Sequence, residues 1–235
     1  MNTRESQPLI SIIVPVFNGE AYIADALQSI FEQTYTRFEV LVVDDGSTDN
    51  SKNIANSFDI KYSYQKNQGV AVARNQGIAG AIGEYIAFLD QDDTWLPDKL
   101  QKQVDLMLSN ADLGYVLTHQ MLHLVEGAEE GPAWLREKQL NTALIGYLPS
   151  ALMVRRSVFS KIGIFDPNYK TGSDGEWFFR AKDNHIRMEI LQDVLVHRKI
   201  HRFNHSNAVG DTHKEMLKII AGSILRKRAS KLGNR

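Results

Sequence analysis

The stretch FLDQDDTWLP, Phe88 to Pro97, sets three carboxylates directly behind an apolar run. Asp90, Asp92 and Asp93 repel one another unless they are solvated, hydrogen-bonded or offset by a positive group. Two more polar clusters follow apolar runs in the same way. One is PVFN (Pro15, Val16, Phe17 and Asn18), and the other is DDGSTD, which opens with Asp44 and Asp45. Hard oxygen donors in a chain without cysteine suit Mg²⁺ or Mn²⁺. Such ions take one or two carboxylates and are commonly completed by substrate phosphates. The chemistry these residues predict is metal-assisted handling of a diphosphate.

The elements that must position these clusters are legible as patterns. LISIIVPVF, FEVLVVDD and YIAFLD are uniformly apolar runs, as expected of strands buried on both faces. Between them, EAYIADALQSIFEQ carries Tyr22, Ile23, Ala26, Leu27 and Ile30 at helical spacing. TDNSKNIANSF and GVAVARNQGIAGA read as two more helices, and IKYSYQ as another strand. LPDKLQKQVDLMLSN opens a helix, with Pro97 just inside its start. Strands alternating with helices predict an α/β fold with a mostly parallel central sheet and helices on both faces. In such sheets ligands bind outside the carboxyl ends of the strands, where all three polar clusters fall. Taken alone, DGST is ordinary turn and helix-cap chemistry, and PVFN can simply end a strand. Three clusters converging on one sheet edge predict a cleft.

Composition bounds the rest. At 235 residues and 43% hydrophobic content, the chain can bury a substantial core as one domain. A net charge of −1 gives no footprint for nucleic acid, and the absence of cysteine excludes a disulfide scaffold and a thiolate nucleophile. MNTRESQPLI lacks the apolar core of a signal peptide, and no run reaches the roughly 20 apolar residues that span a bilayer. The expectation is a cytoplasmic protein.

Charge is uneven, however. From His213 to Arg235 seven Lys/Arg stand against one acid, so this end carries +6 and the preceding chain −7. The expected organisation is a domain over residues 1–210 and a basic amphipathic tail over residues 211–235. In that tail Thr212 and Glu215 form a capping-box pattern, and Leu217, Ile220, Ala221 and Ile224 recur at helical spacing. Two readings stay open: a helix packing its apolar face on the domain, or a peripheral helix lying on an anionic inner membrane face.

The wording of the clusters also resembles a known family. SIIVPVFNGEAYIADALQSIFEQTY, FEVLVVDDGSTDNS, NQGVAVARNQGIAGAIGEYIAFLDQDDTWLPDKL and GSDGEWFFRA, in that order, are similar to the family 2 glycosyltransferases of the GT-A fold. The likeness runs from about Ile10 to Ser206. It implies a Rossmann-like nucleotide-binding half, an acceptor-side half, and inverting transfer of a sugar from a nucleotide-diphosphate donor, usually a UDP-sugar. The acceptor would be a hydroxyl of a carbohydrate, of a lipid-linked glycan or of another molecule.

By that resemblance Pro15, Val16, Phe17 and Asn18 hold the nucleotide, and Asp44 and Asp45 supply a carboxylate to the pyrimidine N–H. Arg74 lies near the nucleotide. Asp90 and Asp92 form the D-x-D signature, with Asp92 on the metal and Asp90 toward the ribose or donor sugar. Asp174 matches the general base. Ser173 departs from the family's glutamate, which leaves Glu176 as a rival base. In VHRKIHRFNHS, similar to a late R-x-H-x-x-N-x-S pattern, His201 and then His197 are candidates to approach the metal or diphosphate.

Rival readings fail on particular residues. A dinucleotide enzyme or a sugar nucleotidyltransferase wants a glycine-rich phosphate loop after the first strand, where PVFNGE has a single glycine. Q-x-x-R-W, the signature of membrane-embedded processive synthases, does not occur, so one sugar per encounter is expected. A degenerate relative that binds nucleotide-sugar or carbohydrate without turnover remains the alternative.

Overall fold

A computed structural model of the chain describes residues 7–125, 135, 137–201 and 209–233. Strand β1 (Ile10–Val16) is central to the first half and pairs in parallel with β2 (Phe38–Asp44) and β4 (Tyr85–Phe88). β3 (Lys61–Tyr64) adds in parallel to β2. The crossovers are α1 (Ile23–Phe31), α2 (Ser51–Ala55) and α3 (Val70–Gly80). Alternate residues of β1 serve opposite cores. Ile10, Ile12, Val14 and Val16 face a cluster with Ile23, Leu27 and Ile30 of α1, while Ile13 joins Ile86 and Phe88 in a second cluster on the other side. Both faces of these strands are dry, which is why they read as unbroken apolar runs.

Beyond β4 the sheet becomes mixed. Its order is β3-β2-β1-β4, then β8 (Met153–Arg155), β6 (Tyr115–Leu124), β9 (Met188–Ile200) and β5 (Asp93–Trp95), with β7 (Ala143–Ile145) also on β6. β8 is antiparallel to both β4 and β6, whereas β6 and β9 run parallel. The parallel arrangement predicted from the sequence therefore holds for the first half and gives way to mixed pairing in the second half. IRMEILQDVLVHRKI is one long strand, kept in register with β6 by shifts around His119.

A short strand not predicted from the sequence, β5 (Asp93–Trp95), lies inside the acidic stretch itself and pairs antiparallel with β9. Pro97 precedes the first residue of α4 (Lys99–Ser109), for which Asp98 is the N-cap. α5 (Arg156–Ile162) and α6 (Ser173–Asp183) cover the second core, where Trp177 is fully buried against Phe159 and Phe165.

The C-terminal helix α7 (Val209–Gly233) packs on α6, though not through the apolar row picked out in the sequence. Thr212 lies inside the helix rather than at its cap. The Glu215 carboxylate reaches across to accept from the backbone N–H groups of Lys170, Thr171 and Gly172. The packed face is Glu215, Ile219 and Ser223, whereas Leu217, Ile220, Ala221 and Ile224 are exposed. Two of the sequence features fall wholly or partly outside the described residues: most of EGAEEGPAWLREKQLN, and the end of VHRKIHRFNHS beyond His201.

Candidate active site

A cleft of about 990 Å³ opens at the carboxyl ends of β1, β2 and β4. Its walls are the loop after β1, the loop after β2, the D-Q-D stretch, the start of α6 and the end of β9. The first two loops are zipped together. The Asn18 N–H donates to Ser47 Oγ (2.9 Å), the Thr48 N–H donates to Asn18 Oδ1 (2.9 Å), and the Glu20 N–H donates to Asp49 Oδ2 (2.9 Å). Asn18 holds this corner with φ 48, the left-handed region that asparagine tolerates better than most residues.

Gln91, the middle residue of D-Q-D, braces the same loop from the other side. Its Oε1 accepts the Phe17 N–H (2.8 Å) and its Nε2 donates to the Phe17 carbonyl (3.1 Å). A Cβ on Gly19 would stand 2.5 Å from Gln91 Oε1, so a side chain there would push the Gln91 amide off this loop. Pro15, Val16, Phe17 and Asn18 all line the cleft, with Phe17 half-exposed at its mouth.

The two acids after β2 take different positions. Asp45 lines the cleft, and its carboxylate is fixed by the Gln65 amide (2.6 Å) and by the N–H groups of Gln68 and Gly69 (both 2.8 Å) at the start of α3. Asp44 does not line it. One of its oxygens accepts the Ser47 N–H (2.7 Å) and the other the Tyr62 hydroxyl (2.6 Å). Burial and the neighbouring Asp44 carboxylate push the Tyr62 phenol well up, so it stays a donor.

The charge question posed by the acidic stretch has a local answer. Arg74, buried in α3, donates to Asp90 Oδ1 at 2.6 Å and stacks 5.8 Å from the Phe165 ring. Asp92 Oδ2 is 2.9 Å from His201 Nε2, and the His201 ring stacks on Tyr22. Asp93 is fully buried. Its Oδ2 accepts the Ser150 hydroxyl (2.6 Å), and Ser150 Oγ in turn accepts the Asp90 N–H (3.1 Å). Burial first, and then the nearby charges of Asp92 and Asp90, hold the Asp93 carboxyl well above the usual range, against Arg198 and Ser150. Arg198 lies opposite Asp93 in the β5–β9 register and lines the cleft.

Asp174, in the first turn of α6, lines the cleft and is half-buried. Burial raises its carboxyl pKa, with Arg74, the Gly175 N–H and Arg198 opposing and Asp90 adding to the rise. Glu176 does not line the cleft. It is 5% exposed and paired with Arg180 (2.6 Å) and Arg226 (3.5 Å) on the α7 side. His197 also lies outside the cleft walls. It stands against His123, ring centroids 4.6 Å apart, with its pKa lowered by burial and by that neighbour.

No group of three His, Asp or Glu side chains in metal-binding geometry occurs among the described residues. Asp92 and His201, a carboxylate and an imidazole 2.9 Å apart in the cleft wall, have the donor chemistry for an ion that takes few protein ligands and draws the rest from a diphosphate.

Sequence reasoning missed Gln91, Ser150 and Arg198. Gln91 had a signal, since it sits between two singled-out acids. Ser150 and Arg198 had none, because pairings across 57 residues and between β5 and β9 carry no local pattern.

Comparison with known proteins agrees with this geometry. The model of the family described as Glycosyl transferase family 2 matches residues 11–163. An uncharacterized glycosyltransferase of Rickettsia typhi is 34% identical over 215 residues, covering 86% of this chain and 67% of its own length. The putative teichuronic acid biosynthesis glycosyltransferase TuaG of Bacillus subtilis is 34% identical over 179 residues, 72% of this chain and 69% of its own length. The crystal structure of S. aureus TarS 1-349 in complex with UDP-GlcNAc superposes with a TM-score of 0.73 at 25% identity, covering 92% of this chain and 66% of TarS 1-349. The chain thus spans about two thirds of the length of these relatives. With the family model matched over most of the sheet and the whole D-Q-D corner, the chain belongs to glycosyl transferase family 2 and has the GT-A fold.

Proposed function

We propose that this protein transfers a single sugar, with inversion, from a nucleotide-diphosphate donor to an acceptor hydroxyl, with Asp174 as the general base. The observation that carries the reading is the exposure of Asp174 to the same cleft as Asp90 and Asp92, while Glu176 is committed to two arginines. In the reaction the acceptor oxygen forms a bond to the anomeric carbon as Asp174 takes its proton. The bond to the diphosphate oxygen breaks on the opposite face, and its electron pair leaves with the diphosphate. Burial, the largest influence on Asp174, raises its carboxyl pKa and so makes the carboxylate a better proton acceptor.

The donor's nucleoside is assigned to the wall formed by Pro15–Asn18 and Asp45. The TarS complex with UDP-GlcNAc supports uridine as the nucleoside. Asp92 and His201, with Asp90 adjacent, are the residues that would hold Mn²⁺ or Mg²⁺. Such an ion, when bound, offsets the negative charge that develops on the leaving diphosphate. Asp45 keeps an oriented carboxylate at the nucleotide end, and Arg74 balances Asp90 between donor and base. The teichuronic acid biosynthesis named for TuaG supports a glycan or polysaccharide as the product class, and a sugar-nucleotide donor supports a cytoplasmic setting.

The test is a panel of nucleotide sugars, each assayed for binding and for turnover in Mn²⁺ and in EDTA. Metal-dependent turnover of one UDP-sugar, abolished in Asp174→Asn with binding kept, is the expected result. Binding without turnover across a broad acceptor panel would replace it with the binding-only reading.

A further inference from the structure

We propose that α7 seats this protein on an anionic lipid surface through the helix face that packs on nothing among the described residues. Met216, Ile220 and Ile224 form one i, i+4 row, and Leu217 and Leu225 stand in the next, Leu217 at 70% exposure. The opposite face is fully employed. Ile219 is 1% exposed, Glu215 holds the loop of residues 170–172, Ser223 donates to Asp183 (2.8 Å), and Arg226 pairs with Asp183 (2.9 Å) and Glu176. The helix cannot turn its aliphatic rows inward without breaking those contacts. The exposed face is therefore a fixed feature of the fold, of the kind that marks an interaction surface.

Charge selects the occupant. Among the described side chains of α7 the exposed ionic groups are Lys214, Lys218, Arg228 and Lys227, the last within 3.5 Å of Asp183; all are cationic, and the one acid, Glu215, is buried. Aliphatic rows interleaved with cations suit the boundary between acyl chains and anionic headgroups. A second copy docked through the same face about a two-fold axis would set these cations against their own equivalents. No described helix is long and apolar enough to cross a membrane, so the contact is peripheral. Its location matters for the cleft: Glu215 binds the backbone of Thr171, a cleft-lining residue, and Met216 follows it on the lipid-facing side. A membrane beneath α7 would lie beside the rim that carries Asp174.

Co-sedimentation of the full chain with phosphatidylcholine vesicles, and with the same vesicles containing phosphatidylglycerol, tests this. No donor or acceptor is needed, so the outcome is independent of the catalytic reading. Binding is expected only to the anionic vesicles and should be reversed by high salt. Lys214→Gln/Lys218→Gln/Arg228→Gln should weaken it about 100-fold, at about fivefold per cation. Leu217→Gln/Ile224→Gln should weaken it about tenfold or more. Both variants should keep the wild-type melting temperature, because every altered side chain is exposed. The proposal is overturned by absence of binding to either vesicle, or by equal binding to both. It is also overturned by a lower melting temperature in both variants, or by self-association of the wild type that Leu217→Gln/Ile224→Gln abolishes.

Discussion

Asp174 and Glu176 sit two residues apart in the first turn of α6 and meet opposite surroundings, one facing the cleft and the other two guanidinium groups. Asp174→Asn preserves shape but cannot take a proton, so kcat should fall on the order of 10²–10⁴-fold with donor affinity unchanged, measured by steady-state kinetics and calorimetry. Because burial raises the Asp174 pKa, the wild-type kcat/KM should decline on acidification through a pKa above the ordinary 3.8, and that limb should vanish in Asp174→Asn. Asp93 makes a different prediction. Its folded pKa is raised, so the native state binds the proton more tightly than the unfolded chain. Its contribution to stability is full below the unfolded pKa and lost as pH rises through the folded one. Asp93→Asn, which is always neutral, should therefore gain stability relative to wild type between acidic and neutral pH in urea titrations.

Helices and loops are arranged so that separate parts of the chain hold one cleft. α3 lies so close on β1 that a Cβ at Gly77 would stand 2.4 Å from Ile13 Cγ2. Gly77→Ala should destabilise by about 1–3 kcal/mol through overpacking, read from denaturant midpoints, and should tilt the helix that carries Arg74. At the other wall, Glu215 of α7 ties down the loop that leads into α6. Burial alone would raise its pKa, but the Thr171, Lys170 and Gly172 donors bring it below the ordinary 4.5. That stabilisation is present above the unfolded pKa and lost as pH falls through the folded one. Glu215→Ala, which leaves those N–H groups unpaired, should cost about 1–3 kcal/mol and lower kcat more than donor affinity, since the loop ends at Asp174.

For the molecule as a whole, the cleft is the seam between the parallel half and the mixed half. β5 joins the D-Q-D corner of the first half to β9 of the second. A donor bound across this seam, as proposed, would contact both halves and stabilise only the native state, by about 2.7 kcal/mol at 100 times its Kd. UDP should therefore raise the melting temperature in Mn²⁺ and raise it less in EDTA. Asp92→Asn should erase the difference while leaving the ligand-free melting temperature close to wild type, because Asp92 is partly exposed and an asparagine oxygen can still accept from His201.

The sequence alone determined the doubly buried strands, because a strand covered on both faces must be apolar at every position, as LISIIVPVF is. It also determined the order of polar clusters at the strand ends, since each cluster is contiguous. Tertiary structure decided what depends on distant partners. β5 exists only because β9 returns beside the acidic stretch. Asp44 is withdrawn from the cleft because Tyr62 and Ser47 occupy its oxygens. The aliphatic rows of α7 face outward because Glu215 and Arg226 find partners on and around α6. A periodic pattern states that a helix has an apolar face. Which face turns inward is set by the polar anchors beside it, and those are bonds between residues about 40 to 50 positions apart that no local pattern encodes.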